Sequence, residues 1–218
     1  MTDKKYDVVL FDLDGTLTDS GEGIMKCAQY ALAKMGIDIK DHLSLRKFVG
    51  PPLEDSFIDF YGFSTEKAHE AVMAYRERYF DIGMYEQQLY EGVNDFLERL
   101  KTEGYTVGIA TSKMERQARW VVENFHLNVC INNVYARDDK GTIHTKADVI
   151  ENALRRLNIT DRSRVLMIGD RKFDIRGAKD CSLDSAGVLW GFGDEPELRE
   201  AGADYICHDF NDILKILK

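Results

Sequence analysis

The sequence predicts an α/β protein built on a doubly wound parallel sheet, with an α-helical cap domain inserted after the first strand. Three observations lead to this prediction: short apolar runs, amphipathic helical patterns between them, and one interval far too long for a simple crossover. Strands that alternate with helices are typical of a parallel sheet, because parallel neighbours need a crossover connection.

Four short runs of apolar and small residues predict buried strands. Their continuous apolar character is typical of strands that helices cover on both faces of a sheet. The predicted strands are Val8 to Phe11, Val107 to Ala110, Val165 to Ile168 and Ser185 to Trp190.

Apolar residues between these strands recur at intervals of three and four, the spacing of one helix face. One such stripe begins at Val93, another at Ala118, and a third runs from Val149 to Leu157. A final helix is predicted after Asp209. Its apolar face comprises Phe210, Ile213, Leu214 and Leu217.

The interval between the first two strands is the exception to this rhythm. About 95 residues separate Phe11 from Val107, whereas a crossover needs roughly a dozen or two. Helical stripes that begin at Ile24, Leu53 and Ala68 fill the excess. We therefore predict a helical cap over residues 19–85, acting as a lid that excludes water and carries selectivity. Residues 1–18 and 86–218 are predicted to form the core domain that carries the parallel sheet.

The composition argues against several classes of partner. A net charge of −9 disfavours nucleic acid and anionic membranes, because both need a basic surface. No apolar run approaches the roughly 20 residues of a membrane span, and the first predicted strand follows the N-terminus too closely for a secretory signal. The four cysteines form no CxxC pair and are expected to be free thiols. We expect a cytoplasmic protein, as a monomer or weak dimer.

Polar residues follow three predicted strands at the point where each ends. Asp12 and Asp14 follow the first, Thr111 and Ser112 the second, and Asp170 the third. The carboxyl ends of parallel strands meet at one edge, which is where such sheets bind ligands. Because strand side chains alternate, Asp12 and Asp14 point the same way if the backbone stays extended.

Carboxylates that converge on one edge require a cation. Asp174 lies four residues beyond Asp170 and enlarges the acidic set. Ionised carboxylates cannot crowd together without a cation, and oxygen ligands without nearby His or Cys favour a hard one, such as Mg²⁺ at a phosphate site. The pattern predicts Mg²⁺-assisted phosphoryl transfer, with one Asp as nucleophile and another as general acid/base.

Two predicted helix starts add anion-binding character, because free N–H groups and the positive end of the helix dipole bind phosphate. Ser112 to Glu115 fits a capping box, with Ser112 as N-cap, and Thr145 to Asp148 is similar. Lys146 falls in the first turn of the second helix. A cation is unfavourable there, which suggests that it pairs with a substrate anion.

Each signal has a simpler alternative when taken alone. The Asp-x-Asp-Gly sequence is compatible with a plain turn or generic cation site, the pair Thr111-Ser112 with a helix cap, and Lys146 with a solvated surface lysine. Their order at successive strand ends favours a shared site. Gly191 to Gly193 follows a strand but does not match a dinucleotide fingerprint.

These motifs resemble those of the haloacid dehalogenase-like phosphatases with a helical cap, the phosphoglycolate phosphatase-like group. The resemblance spans nearly the whole chain and implies a Rossmann-like core. The family's DxDGT motif matches Asp12 to Thr16, its Ser/Thr matches Thr111, its Lys matches Lys146, and its GDxxxD motif matches Gly169 to Asp174. Lys113 is a rival for the Lys role, although its place in the order favours Lys146.

The resemblance also implies a mechanism. Asp12 would attack phosphorus to form an aspartyl phosphate, while Asp14 would protonate the leaving oxygen and then activate water. The implied Mg²⁺ ligands are Asp12, the Asp14 backbone carbonyl, Asp170 and, through an ordered water, Asp174. The implied phosphate-binding groups are Thr111, the Ser112 N–H and Lys146.

The implied activity is hydrolysis of a small phosphorylated metabolite, with phosphoglycolate and nucleoside 5′-monophosphates as leading candidates. The alternatives are a phosphomutase of the β-phosphoglucomutase type and a non-catalytic interaction protein. Ile24 and Leu53 stand where the mutases' His and Arg are expected, which argues against the first alternative. The intact motifs argue against the second, and an acid at Asp14 argues against a dehalogenase.

Overall fold

Parallel strands form the main sheet of the protein in the computed structural model, which describes residues 4–131, 133–138 and 141–218. Residues 1–3, at the start of the predicted core segment 1–18, lie outside this description. The strands are β1 (Val8–Phe11), β2 (Thr18–Asp19), β3 (Gln88–Leu89), β4 (Thr106–Met114), β5 (Asn133–Arg137), β6 (Val165–Gly169), β7 (Asp184–Val188) and β8 (Tyr205–Cys207). The main sheet has the order β5-β4-β1-β6-β7-β8, and β2 pairs separately with β3.

Helices follow most strands of the main sheet. Those in the described residues are α1 (Gly21–Lys34), α2 (Leu53–Tyr61), α3 (Thr65–Asp81), α4 (Val93–Thr102), α5 (Glu115–Asn124), α6 (Lys146–Arg156), α7 (Lys172–Asp180), α8 (Glu195–Ala201) and α9 (Phe210–Ile216). The predicted α/β fold with a helical insertion is thereby confirmed. None of the described helices combines the length and apolar character that crossing a bilayer requires.

The central strand β1 is buried on both faces, as its continuous apolar run predicts. Val9 and Phe11 belong to a core cluster that includes apolar residues of α4, α5 and α9. Val8 and Leu10 point to the other face and belong to a second cluster, which includes residues of α6 and α7. Helices on both faces hold β1 and its neighbour β6 at the centre of the sheet.

The two outermost strands of the main sheet were not predicted from the sequence. β5 and β8 lie at opposite edges of the main sheet, and neither is buried along its whole length. An edge strand pairs on one side only, so a short and partly polar segment suffices. Their sequences therefore lack the continuous apolar run that marks β1 and β6.

The capping box predicted at Ser112 is wrong. β4 continues through Ser112 to Met114, and α5 begins at Glu115 with Met114 as an N-cap that makes no side-chain capping bond. The cause is the unpredicted strand β5. Met114 pairs with Arg137 of that strand after a register irregularity, so the chain stays extended where a helix start was expected.

The chain divides into two compact units. The core unit comprises Met1–Leu17 and Leu89–Lys218, and the insertion unit comprises Thr18–Gln88. Within the insertion unit, α1 packs against α3 through the predicted stripes that begin at Ile24 and Ala68, most of which are buried. The predicted domain boundaries, after residues 18 and 85, and the predicted action of the insertion as a lid stay predictions.

The cysteines carry free thiols, as predicted. Three of them are buried and Cys130 is partly exposed. Burial raises the pKa of Cys181 and of Cys207 to about 12. These two thiols therefore stay protonated and unreactive near neutral pH.

Candidate active site

Three of the four predicted acids meet at the carboxyl edge of the sheet. Asp12 follows β1 and Asp170 follows the neighbouring strand β6, whereas Asp174 lies in the first turn of α7. The backbone N–H of Asp12 donates to the Ile168 carbonyl at 2.8 Å, which continues the pairing of the two strands to the site. One oxygen from each carboxylate lies within 4.8 Å of the others, and all three residues are buried.

The side chain of Asp14 takes a different partner. Its two carboxylate oxygens accept hydrogen bonds from Lys113 Nζ at 2.8 and 2.7 Å. The acidic cluster of Asp12, Asp170 and Asp174 therefore does not include this side chain. The Asp14 backbone carbonyl, which the resemblance assigns to the metal, stays a prediction.

Lys146 lies against the acidic cluster. Its Nζ is 2.8 Å from Asp12 Oδ1, 2.6 Å from Asp174 Oδ1 and 2.9 Å from the Ala110 carbonyl. Although burial lowers the pKa of Lys146, the two carboxylates outweigh it and leave that pKa raised. Lys146 therefore stays charged, and its contacts explain a cation in the first turn of α6. Lys113, the rival in the sequence, contacts Asp14 instead.

The start of α6 places this lysine as predicted. Thr145 is the N-cap of α6, and its side chain accepts a hydrogen bond from the Asp148 N–H at 3.1 Å. The Asp148 carboxylate returns the bond by accepting from the Thr145 N–H at 2.9 Å. Gly177 of α7 leaves room for the lysine stem, since a Cβ at that position would lie 2.6 Å from Lys146 Cγ.

Asp170 is held by groups from two loops. Thr16 Oγ1 donates to Asp170 Oδ1 at 3.3 Å, and the Phe192 N–H donates to Oδ2 at 2.8 Å. Gly15 has a φ of +85°, and a Cβ there would lie 2.2 Å from Asp170 Oδ2. The loop of the DxDGT motif therefore requires glycine both for its backbone conformation and for its approach to the carboxylate.

Sequence reasoning missed the loop after β7. A Cβ at Gly191 would lie 2.3 Å from Asp170 Cβ, and one at Gly193 would lie 2.1 Å from the Asp170 carbonyl oxygen. Two glycines at the end of a predicted strand were nevertheless a signal of close backbone approach.

Asp174 is oriented by the turn that precedes α7. The Arg171 N–H donates to Asp174 Oδ2 at 3.0 Å, while Oδ1 faces Lys146. Gly169 is again essential, because a Cβ there would lie 2.3 Å from Asp174 Cγ. The GDxxxD motif thus places Asp170 directly after β6 and Asp174 in the first turn of α7, with both carboxylates in the same cluster.

The acidic cluster is electrostatically strained by its own charges. Burial raises the pKa of Asp12 to about 6, with Lys146 opposing and Asp174 adding to the rise. Burial, followed by the charges of Asp174 and Asp12, raises the pKa of Asp170 well above its usual value. With all three carboxylates ionised, Lys146 neutralises only part of their charge, and a further cation would offset the rest. Its all-oxygen donor set suits a hard cation such as Mg²⁺.

Thr111 and Ser112 lie in the last part of β4, the other neighbour of β1. Thr111 is buried, and its Oγ1 accepts a hydrogen bond from the Lys113 N–H at 3.3 Å. Ser112 is partly exposed. Their assignment to phosphate binding stays a prediction, and Ser112 would serve it from a strand rather than from a helix cap.

Comparison with known proteins finds a matching family model, similar sequences and similar solved structures. The family model described as haloacid dehalogenase-like hydrolase matches residues 9–188. A 5′-nucleotidase from Pseudomonas aeruginosa is 39% identical over 214 residues, which cover 98% of this chain and 96% of that protein. The tyrosine-protein kinase PtkA of Mycobacterium tuberculosis is 32% identical over 201 residues, 92% of this chain and 68% of that protein. A crystal structure of a predicted phosphatase from Clostridium acetobutylicum superimposes with a TM-score of 0.93 at 42% identity, covering 96% of this chain and 97% of the other.

Proposed function

The chain belongs to the haloacid dehalogenase-like hydrolases, and we propose that it is a Mg²⁺-dependent phosphatase that cleaves small phosphate monoesters through an aspartyl phosphate. The observation that carries this proposal is the buried cluster of Asp12, Asp170 and Asp174 with Lys146 between two of its members. A nucleophile, a set of carboxylates suited to Mg²⁺ and a fixed cation then stand at one sheet edge, and these are the parts that phosphoryl transfer uses.

In the proposed reaction, a carboxylate oxygen of Asp12 attacks phosphorus. The bond from phosphorus to the alcohol oxygen breaks, and Asp14, which must carry a proton at the start of this step, gives it to that oxygen. Asp14, now ionised, takes a proton from a water molecule, whose oxygen attacks the phosphoryl group. The bond to Asp12 breaks, inorganic phosphate leaves, and both acids return to their starting states.

The contacts of the two lysines hold both acids in place. Lys146 holds the Asp12 carboxylate in place and supplies positive charge next to the phosphoryl oxygens, while Lys113 fixes the position of Asp14. Asp12 and Asp170 would hold Mg²⁺, with Asp174 beside them. Bound there, the ion would offset the charge of the carboxylates and of the phosphoryl oxygens.

We propose a nucleoside 5′-monophosphate as the substrate in preference to phosphoglycolate. Support comes from the 5′-nucleotidase of P. aeruginosa, which matches nearly the whole chain. A mutase is disfavoured because Ile24 is buried within the insertion unit, as a packing residue would be. Leu53, at the start of α2, carries no charge for a second phosphate.

The experiment is phosphate release from nucleoside 5′-monophosphates, phosphoglycolate and an aryl phosphate, with Mg²⁺ and with a chelator. We expect Mg²⁺-dependent turnover that Asp12→Asn reduces by about 10⁴-fold or more, the size of a lost nucleophile. Asp7→Asn is the matched control, since Asp7 lies just before β1 and pairs with Arg164. Equal turnover by Asp12→Asn and Asp7→Asn would disprove the assigned nucleophile, whereas a hexose phosphate isomer as the product would indicate a mutase.

A further inference from the structure

Glu197 of α8 accepts hydrogen bonds from the two residues that follow Asp170. Its Oε1 lies 2.8 Å from Arg171 Nε and 2.9 Å from the backbone N of Lys172, and its Oε2 lies 3.4 Å from Arg171 Nη2. One carboxylate thus holds both a guanidinium and a backbone N–H of the same turn. Two-point contacts of this kind restrict orientation as well as distance.

The turn held by Glu197 connects two members of the acidic cluster. Asp170 immediately precedes Arg171, and the Arg171 N–H donates to Asp174 Oδ2 at 3.0 Å. The other oxygen of Asp174 is 2.6 Å from Lys146 Nζ. A shift of the turn would therefore change the distance between Asp170 and Asp174 and the contact with Lys146.

The ion pair between Arg171 and Glu197 is more buried than the surface pair on the same helix, Arg199 with Glu195. The side chains of Arg171 and Glu197 are 11% and 23% exposed, whereas those of Arg199 and Glu195, also paired on α8, are 63% and 41% exposed. Exposed pairs contribute little because water competes for both partners. The Arg171–Glu197 pair is shielded enough to hold a fixed geometry.

The attachment of α8 to the fold does not depend on this pair. Leu198 and Ala201 of α8 are buried in an apolar cluster with Ile175 of α7. A Cβ at Gly187 of β7 would lie 2.8 Å from Leu198 Cδ1, so this leucine also packs closely on the sheet. Apolar packing therefore docks α8, and the polar contacts of Glu197 are available for another role.

We propose that Glu197 is a positioning residue for the metal-binding acids: it fixes the Arg171–Lys172 turn and so sets the spacing of Asp170 and Asp174. Glu197 lies outside all four motifs of the resemblance, 25 residues beyond Lys172. The inference rests on the proposed Mg²⁺-dependent function. The inference adds that the Mg²⁺ site depends on Glu197, a residue outside those motifs.

The test measures Mg²⁺ binding without substrate, by titration calorimetry, for the wild type and for Glu197→Ala, Glu197→Gln and Glu195→Gln. Removal of a group that orients a metal ligand typically lowers the affinity for the metal by 10- to 100-fold. We expect a loss of about that size in Glu197→Ala and a smaller loss in Glu197→Gln, which keeps an acceptor for the Lys172 N–H. Glu195→Gln, the matched control on the same helix, should bind Mg²⁺ as the wild type does.

Activity supplies a second measurement. Because the reacting groups remain, saturating Mg²⁺ should restore most of kcat in Glu197→Gln, with the half-saturating Mg²⁺ concentration raised. Unchanged Mg²⁺ affinity in both Glu197 variants would overturn the inference, and so would an equal loss in Glu195→Gln. If Glu197→Ala fails to fold, Glu197→Gln alone decides between these outcomes. A wild type that binds no Mg²⁺ would overturn the proposed function together with the inference. A wild type that binds Mg²⁺, with the same affinity in both Glu197 variants, would overturn the inference alone.

Discussion

The core unit and the insertion unit each contain a shielded cluster of charged residues, and the two clusters differ in charge balance. In the insertion unit, Glu86 pairs with Arg78 at 2.8 Å and with Lys26 at 3.3 Å, and Lys26 also pairs with Glu22. In the core unit, Lys146 faces Asp12 and Asp174 with Asp170 close by. The first cluster balances its own charges, while the second has an excess of carboxylates that a bound cation would offset.

This difference separates a structural ion pair from a functional site. A balanced cluster lowers the pKa of its acid, as Arg78 does for Glu86 against the effect of burial. An unbalanced and buried cluster raises the pKa of its acids, as for Asp12 and Asp170. Strained carboxylates that persist in a fold point to a ligand that uses them.

Among the variants that compare the two clusters, the largest effect is expected for Asp170→Asn. We expect phosphatase activity to fall by on the order of 10³-fold, because a metal-binding carboxylate is lost. Without Mg²⁺, the free energy of unfolding should rise by on the order of 1 kcal/mol, because repulsion within the cluster is relieved. Asn fits the site, since its carbonyl can accept from the Phe192 N–H while its amide donates to Thr16 Oγ1.

Phosphate release and urea denaturation, each with Mg²⁺ and with a chelator, measure these two effects. Asp180→Asn is the matched control, an exposed acid at the other end of α7. A variant that is less stable than the wild type in the chelator would contradict the view that the cluster is strained.

For Glu86→Gln in the insertion unit we expect a change in stability of opposite sign, which is smaller in free energy than the loss of activity in Asp170→Asn. This variant should lose about 1–2 kcal/mol of unfolding free energy with or without Mg²⁺, because it breaks a charged hydrogen-bond network. Since the folded pKa of Glu86 is lowered, its contribution is present above the unfolded pKa of about 4.3 and disappears as the pH falls through the folded value.

Urea denaturation at pH 7 and at successively lower pH measures this dependence. The difference between wild type and Glu86→Gln should shrink as the solution becomes more acidic. A difference that depends on Mg²⁺, or one that grows on acidification, would remove the contrast between the two clusters.

The smallest effects are expected from two helix caps, one in each unit. Thr145 caps α6 by accepting from the Asp148 N–H, and Ser64 caps α3 by accepting from the Lys67 N–H at 3.3 Å. Thr145→Ala and Ser64→Ala should each cost about 1 kcal/mol of unfolding free energy. Only Thr145→Ala should also lower kcat, by a few-fold, because it frees the turn that carries Lys146.

Thermal denaturation and steady-state kinetics on both cap variants test this prediction. The two caps serve as controls for each other, because we expect each variant to lose about the same unfolding free energy, roughly 1 kcal/mol. An equal fall of kcat in both variants would mean that the fixed position of Lys146 contributes nothing beyond general stability.

Much of the core unit was predictable because the sequence patterns that specify it lie within short segments of the chain. Continuous apolar runs identify β1 and β6, and the rule that parallel strands end at one edge brings Asp12 and Asp170 together. The capping pattern at Thr145 is also local and is confirmed. The pattern at Ser112 failed because the edge strand β5, distant in sequence, keeps that segment extended.

The contacts across the site were not predictable in this way. Local spacing indicates that Lys146 and Lys113 are both near the strand ends, but not that one meets Asp12 and the other Asp14. The role of Glu197 depends on how α8 packs beside the turn at Arg171, and no motif marks it.

The sequence sufficed for the fold class, the central strands, the buried helix faces and the acids at the strand ends. These features follow from the periodicity of apolar residues within short segments and from the order of those segments along the chain. Only the tertiary structure decided which cation faces which carboxylate, where β4 ends, and why Gly191 and Gly193 must lack side chains. Those outcomes depend on distances of a few ångströms between segments that are far apart along the chain, which periodicity does not encode.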